Sequence, residues 1–137
     1  MGTVYAEITL RNAGDAANVK RGFIKEQEVH ETTVKALVDT GAMTLVINEE
    51  IRQRLGLRIE SKRSAELADG GKQFFEVTEP VHIRWKNRDT ACRALVLPGA
   101  SETLLGAIPL EDMDLIVDPA RLELTGAHGD EILCLVK

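Results

Sequence analysis

The sequence predicts an all-β fold, on two observations: short runs in which apolar and polar residues alternate, and turn-forming residues recurring between those runs. Val4, Ala6, Ile8 and Leu10 alternate with Thr3, Tyr5, Glu7 and Thr9, the period of a strand with one buried face. Asn12-Ala13-Gly14-Asp15, Ala68-Asp69-Gly70-Gly71, Leu97-Pro98-Gly99, Asp118-Pro119 and Gly126-Ala127-His128-Gly129 carry the residues that accept a positive φ or fix φ. Short strands punctuated in this way form a barrel or a sandwich.

The elements can be taken in chain order. After the first strand, Val34 to Val38 reads as a buried strand that runs into Asp39-Thr40-Gly41, where glycine permits a tight turn. Leu45-Val46-Ile47 follows, and then a short helix from about Glu49 to Leu55. Asn48 is its expected N-cap, Glu49 and Glu50 sit in its first turn, and Gly56 stops it. Ser64 to Ala68 and Lys72 to Val77 flank Asp69-Gly70-Gly71, a hairpin signal. Val81, Ile83 and Trp85 alternate with His82, Arg84 and Lys86, which turns Trp85 inward and His82 outward. A second helix is expected from Pro109 to Met113, with proline at its first position and Glu111 and Asp112 near its positive end. The run Ile132 to Val136 is apolar without interruption and needs cover on both faces.

At 137 residues, 44% hydrophobic and 28% charged, the chain is expected to form one continuous domain over 1–137, with a core and no disordered character. A net charge of -5 argues against a nucleic-acid partner, which calls for a broad basic surface. The basic groups Arg52, Arg54, Arg58, Lys62 and Arg63, and Arg84, Lys86, Arg88 and Arg93, read as solvated faces. With no leader pattern and no long apolar stretch, a cytoplasmic protein without a membrane partner is expected. Cys92 and Cys134 lie far apart, and His30, His82 and His128 show no ligand spacing, so reduced thiols, no metal and no cofactor are expected.

One segment carries chemistry. Asp39 follows an apolar strand, a setting in which burial raises the cost of ionising a carboxylate and prepares it for acid–base work. Asp-Thr-Gly alone is equally a turn aspartate making local hydrogen bonds. The order of parts says more: Ala36-Leu37-Val38-Asp39-Thr40-Gly41-Ala42, a capped helix, a glycine-tipped hairpin, then Thr103-Leu104-Leu105-Gly106 and another helix.

From about Thr33 to Leu124 this order resembles the retropepsin family, the single-lobe aspartic proteases, and its cellular, bacterial-type branch in particular. The resemblance implies a closed β-barrel with two short helices and a flap hairpin. It also implies an aspartic endopeptidase acting on a peptide or protein substrate through an Asp-activated water. One chain supplies one Asp-Thr-Gly loop while the chemistry uses two carboxylates, so a homodimer is implied, with Asp39 meeting its own copy and sharing a proton. By the same resemblance Asp39, Thr40 and Gly41 are the catalytic loop. Ala42 and the flap residues Gly70 and Gly71 contact substrate, while Leu104, Leu105 and Gly106 support the loop. The 132–136 run is then a candidate for the dimer interface. Viral members carry charges after the second motif and soon after Asp-Thr-Gly-Ala, where this chain has Ala107 and Met43, which implies a weaker dimer. A rival reading keeps the fold and drops the chemistry, leaving a peptide-binding or assembly module.

Overall fold

The computed structural model describes residues 2–66, 68–99 and 101–129. The chain runs β1 (Tyr5–Asn12), α1 (Ala13–Lys20), β2 (Glu31–Val38), β3 (Leu45–Asn48), α2 (Glu49–Arg54), β4 (Ile59–Glu66), β5 (Lys72–Thr78), β6 (Val81–Trp85), β7 (Arg88–Cys92), β8 (Ala94–Leu97), β9 (Leu104–Leu105), α3 (Ala107–Asp112), β10 (Leu115–Asp118) and β11 (Glu123–Gly126). Strands dominate, as the alternation predicts.

Nine strands form one curled half-barrel sheet in the order β4-β5-β8-β3-β9-β2-β1-β6-β7, and β10 pairs with β11 in a separate ribbon. This is the expected all-β class, with a sheet whose order among the described residues ends at β4 and β7. Most pairings are antiparallel, but β2 runs parallel to β9 and β3 parallel to β8. Parallel neighbours require a long crossover, and here the crossover brings the residues after Thr103 back beside the strand that ends at Val38.

The inward faces explain the strands. Ala6, Ile8 and Leu10 of β1 and Val81, Ile83 and Trp85 of β6 are all buried, and the two strands pair with Leu10 opposite Ile83. Each large aliphatic side chain so buried contributes roughly 1.5–3 kcal/mol. Leu45, Ile47, Leu55, Leu57 and Leu105 join the same core. Strand β2 is less buried than expected: Ala36 is its only fully buried residue, while Val34 and Val38 pack partly against the core.

Helix α2 begins and ends as the sequence indicates, with the Asn48 side chain accepting the Ile51 N–H at 2.9 Å and Gly56 at φ +61° closing it. Arg52 donates to Glu49, and this bond holds the Glu49 carboxyl below its ordinary range. Helix α3 starts two residues before the expected Pro109, behind the N-cap Gly106. Pro109 is still in the first turn, where its missing N–H costs no intrahelical bond, but Glu111 and Asp112 fall in the last turn and not at the positive end. Helix α1 lies where a turn is expected. Asn12 caps it by accepting the Asp15 N–H at 3.1 Å while its amide donates to Leu55 O at 2.9 Å.

Arg88 also departs from the sequence reading. It is no solvated cation: it is 1% exposed and donates to the carbonyls of Met113 (2.8 Å), Asp114 (2.9 Å) and Gly129. It thereby ties β7 to the end of α3 and to the turn after β11. His82 lies on the outward face as expected, opposite the buried Val81, Ile83 and Trp85, and there it is half-buried and faces Asp89 at 2.8 Å. Cys134 and the 132–136 run lie outside the described residues. No helix among the described residues is long and apolar enough to cross a membrane.

Candidate active site

Strand β2 delivers Asp39 to the surface at its C-terminal end, and β9 fixes it there. Leu37 and Val38 pair with Leu104 and Leu105, and the Asp39 N–H donates to Leu105 O at 3.0 Å. The loop then folds on itself. Gly41 N–H donates to Asp39 Oδ1 at 2.9 Å, and Ala42 N–H donates to the Asp39 carbonyl at 3.1 Å. A single aspartate thus has its backbone held by the neighbouring strand and its carboxylate oriented by its own turn, while Thr40 and Gly41 are exposed.

The second motif clamps the far end of that loop. Ala107 N–H donates to Ala42 O at 2.8 Å and Ile108 N–H to Met43 O at 2.9 Å. These bonds need α3 to approach closely, and Gly106 permits it. A β-carbon there would lie 2.6 Å from Ala42 O, 2.8 Å from Thr44 N and nearer still to Thr44 O, distances that real contacts do not reach. At φ -91° the residue has ordinary backbone geometry, so space alone demands glycine. Asn48 adds a further tie, its amide donating to Ser101 O at 2.9 Å just ahead of β9. Glu102 accepts a hydrogen bond from Tyr5, which raises the Tyr5 phenol above its ordinary range.

Asp39 opens onto a cavity of about 430 Å3 that Val4, Leu37, Thr40 and Val117 also line. Thr40 and Val117 are shared with an adjoining cavity of about 270 Å3, walled by Leu110, Leu115 and Ile116. The face around Asp39 is therefore largely apolar, and Ile116 on it is 51% exposed. Among the described residues no other acidic side chain lines the Asp39 cavity; Glu111 lines the adjoining one. Among the described residues no group of three or more His, Cys, Asp or Glu side chains could hold a metal ion.

The structure thus brings together Asp39, Thr40, Gly41 and Ala42 with Leu104, Leu105 and Gly106. Gly70 and Gly71 stand apart, at the exposed tip of the β4–β5 hairpin, where Gly70 takes φ +85° and Gly71 N–H donates to Asp69 Oδ1 at 2.9 Å. The hairpin approaches the residues after the loop through Arg63 and Val77, which line a cavity together with Met43. The sequence reading passed over Tyr5, Glu102 and Arg88 as parts of this framework. Only Arg88 carried a signal, since the β7 alternation puts it on the same face as Thr90.

A mostly-β chain with a curled half-barrel sheet and few short helices has the fold class of the retropepsin-like aspartic proteases. The chain belongs to the family described as gag-polyprotein putative aspartyl protease, whose model matches residues 26–129. Among solved structures it is similar to the retroviral protease-like domain of Ddi1 from Leishmania major, with 18% identity, a TM-score of 0.57, and 96% of this chain and 91% of that one covered. It also matches the protease of Simian Foamy Virus (mac), with 16% identity, a TM-score of 0.49, and coverage of 77% and 90%. No curated protein sequence matches it.

Proposed function

We propose that the protein is an aspartic endopeptidase whose active site assembles when two copies bring their Asp39 loops together. The observation that carries this reading is the setting of Asp39. Its loop is held by backbone hydrogen bonds yet exposed, it opens onto an apolar face, and among the described residues no second acid shares its cavity. A lone carboxylate can take a proton from water but cannot at the same time donate one to the scissile carbonyl. A second copy supplies the missing acid.

In the assembled site one Asp39 is ionised and its partner protonated, because two like charges a few ångströms apart do not both ionise readily; aspartic proteases are the reference case for this effect. The ionised carboxylate takes a proton from water as the water oxygen attacks the peptide carbonyl, and the other gives its proton to the carbonyl oxygen. Collapse of the tetrahedral diol breaks the C–N bond, with a proton passing to the leaving amine. No acyl-enzyme forms. Thr40 holds the two loops in register, Gly41 and Ala42 flank the peptide, and the β4–β5 hairpin closes over it with Gly70 and Gly71 at its tip.

Asp39→Asn tests the reading directly. Cleavage of a peptide library by the wild-type chain, abolished in Asp39→Asn, is the expected result. Residual cleavage by the variant would remove Asp39 from the chemistry, and peptide binding without cleavage by either protein would favour the non-catalytic module. Sedimentation across a concentration series should show a weak dimer, with activity rising steeply with protein concentration, since Met43 and Ala107 bring no bracing charge. A chain that cleaves peptides while monomeric at every concentration would refute the shared site.

A further inference from the structure

Met43 and Thr44 continue directly from the Asp39 loop and line a separate cavity of about 240 Å3. Its walls include the apolar side chains of Met43, Val77, Leu95 and Ile108, and its charged lining residues among those described are Arg63 of β4 and Arg93 between β7 and β8. The two guanidiniums differ in what they already hold. Arg93 donates to Glu60 at 2.8 Å. Arg63 stands opposite Phe75 in the hairpin register and has no ion pair among the described residues. One further acid is felt here, Asp112 of α3, which acts on the Cys92 thiol at the cavity wall.

We infer that this cavity is a substrate subsite selecting an acidic side chain, glutamate or aspartate, with Arg63 as the residue that sets the preference. The inference rests on the proposed peptide-cleaving function, since a cavity beside the Asp39 loop receives a side chain only if a peptide lies along that loop. The apolar walls suit the methylenes of the side chain, and the guanidinium presents a planar fork of donors that a carboxylate accepts in pairs. With Glu60 paired to Arg93, Arg63 is the lining cation left without an ion pair among the described residues, and Asp112 beside Cys92 tempers the positive charge further, so a singly charged carboxylate is matched better than a dianionic phosphate. A lysine at the same position would meet the like charge of Arg63 at the cavity wall.

The test uses the full chain and a positional-scanning peptide library in which one position at a time is fixed as Glu, Gln or Lys. At one position kcat/KM for Glu should exceed that for Gln by roughly five- to tenfold, a charge-assisted hydrogen bond discounted for partial exposure. Arg63→Gln should bring the Glu peptide down to the level of the Gln peptide, and Arg63→Glu should turn the preference toward Lys. Arg63 is exposed, so unchanged melting temperatures should accompany both variants. No position favouring Glu, or a preference that survives Arg63→Gln, would overturn the inference. If the wild-type chain cleaves no library member, the endopeptidase reading fails, and the same peptides are then titrated by fluorescence anisotropy against Asp39→Asn. Tighter Glu than Gln binding, lost in the Arg63→Gln double variant, would uphold the subsite on its own, and equal binding would sink it.

Discussion

Gly106→Ala probes how tightly the two motifs are locked. Because φ at Gly106 is -91°, alanine meets no backbone strain, and it restricts the unfolded chain, a gain of about 0.4–1 kcal/mol. Against that, its β-carbon would lie 2.6 Å from Ala42 O and 2.8 Å from Thr44 N, both backbone atoms that no rotamer change relieves. Overpacking of this kind costs about 1–3 kcal/mol. Backing α3 away from the loop also weakens the bonds from Ala107 N to Ala42 O at 2.8 Å and from Ile108 N to Met43 O at 2.9 Å, each worth about 1 kcal/mol. The net loss should be about 2–4 kcal/mol, a large part of the roughly 5–15 kcal/mol that holds a typical domain folded. Urea denaturation should show a lower midpoint at unchanged slope, and thermal melting should fall by on the order of 10 °C. A loss below about 1 kcal/mol would refute the reasoning, since it would mean that residues 42–44 yield freely.

Three further outcomes follow from the same geometry. Arg88→Met should cost at least about 3 kcal/mol by denaturation, because the carbonyls of Met113, Asp114 and Gly129 lose a shared buried donor; Arg88→Lys should recover only part, as an ammonium does not span three acceptors. Burial is the largest cause raising the Cys92 thiol above its ordinary range, so its stabilising contribution is full below the unfolded value of about 8.5 and declines as pH rises through the folded value. Cys92→Ala should therefore flatten the fall in melting temperature between about pH 8 and pH 10, and an unchanged slope would contradict it. In Asp39→Asn the amide oxygen can still accept the Gly41 N–H now held at 2.9 Å, so calorimetry should find the melting temperature level or raised; a loss above about 2 kcal/mol would mean that the ionised carboxylate holds the loop together.

The parts legible in the sequence are those where one local rule acts alone. Val4 to Leu10 and Val81 to Trp85 alternate cleanly because each strand buries one face. Asn48 and Gly56 bracket α2 because a cap and a positive φ are local demands. Helix α1 was illegible because it buries no residue, so no apolar period marks it, and its cap Asn12 is equally a turn residue. The start of α3 was misplaced because proline suits any position of a first turn, while the choice of Gly106 as N-cap is dictated by the packing of a distant loop. The β7 alternation hinted that Arg88 faces inward, but its three carbonyl partners, Met113, Asp114 and Gly129, lie far along the chain, so it read as a surface cation. In the candidate site, the two motifs could be read and matched, but the separation of Gly70 and Gly71 from Asp39 depends on how far the β4–β5 hairpin reaches, which spacing alone does not tell.

The parallel pairing of Leu37 and Val38 with Leu104 and Leu105 also orders events in time. Contacts between segments so distant along the chain form slowly, because the intervening loop must close before they return any free energy. A chain emerging from the ribosome carries the complete Asp-Thr-Gly sequence long before it carries Leu105, whose carbonyl holds the Asp39 amide. Until that strand is made the acid sits on an unsupported turn, so fragments ending before residue 104 should lack the held Asp39 loop, and a growing chain gains that loop only after most of its sheet has been synthesised.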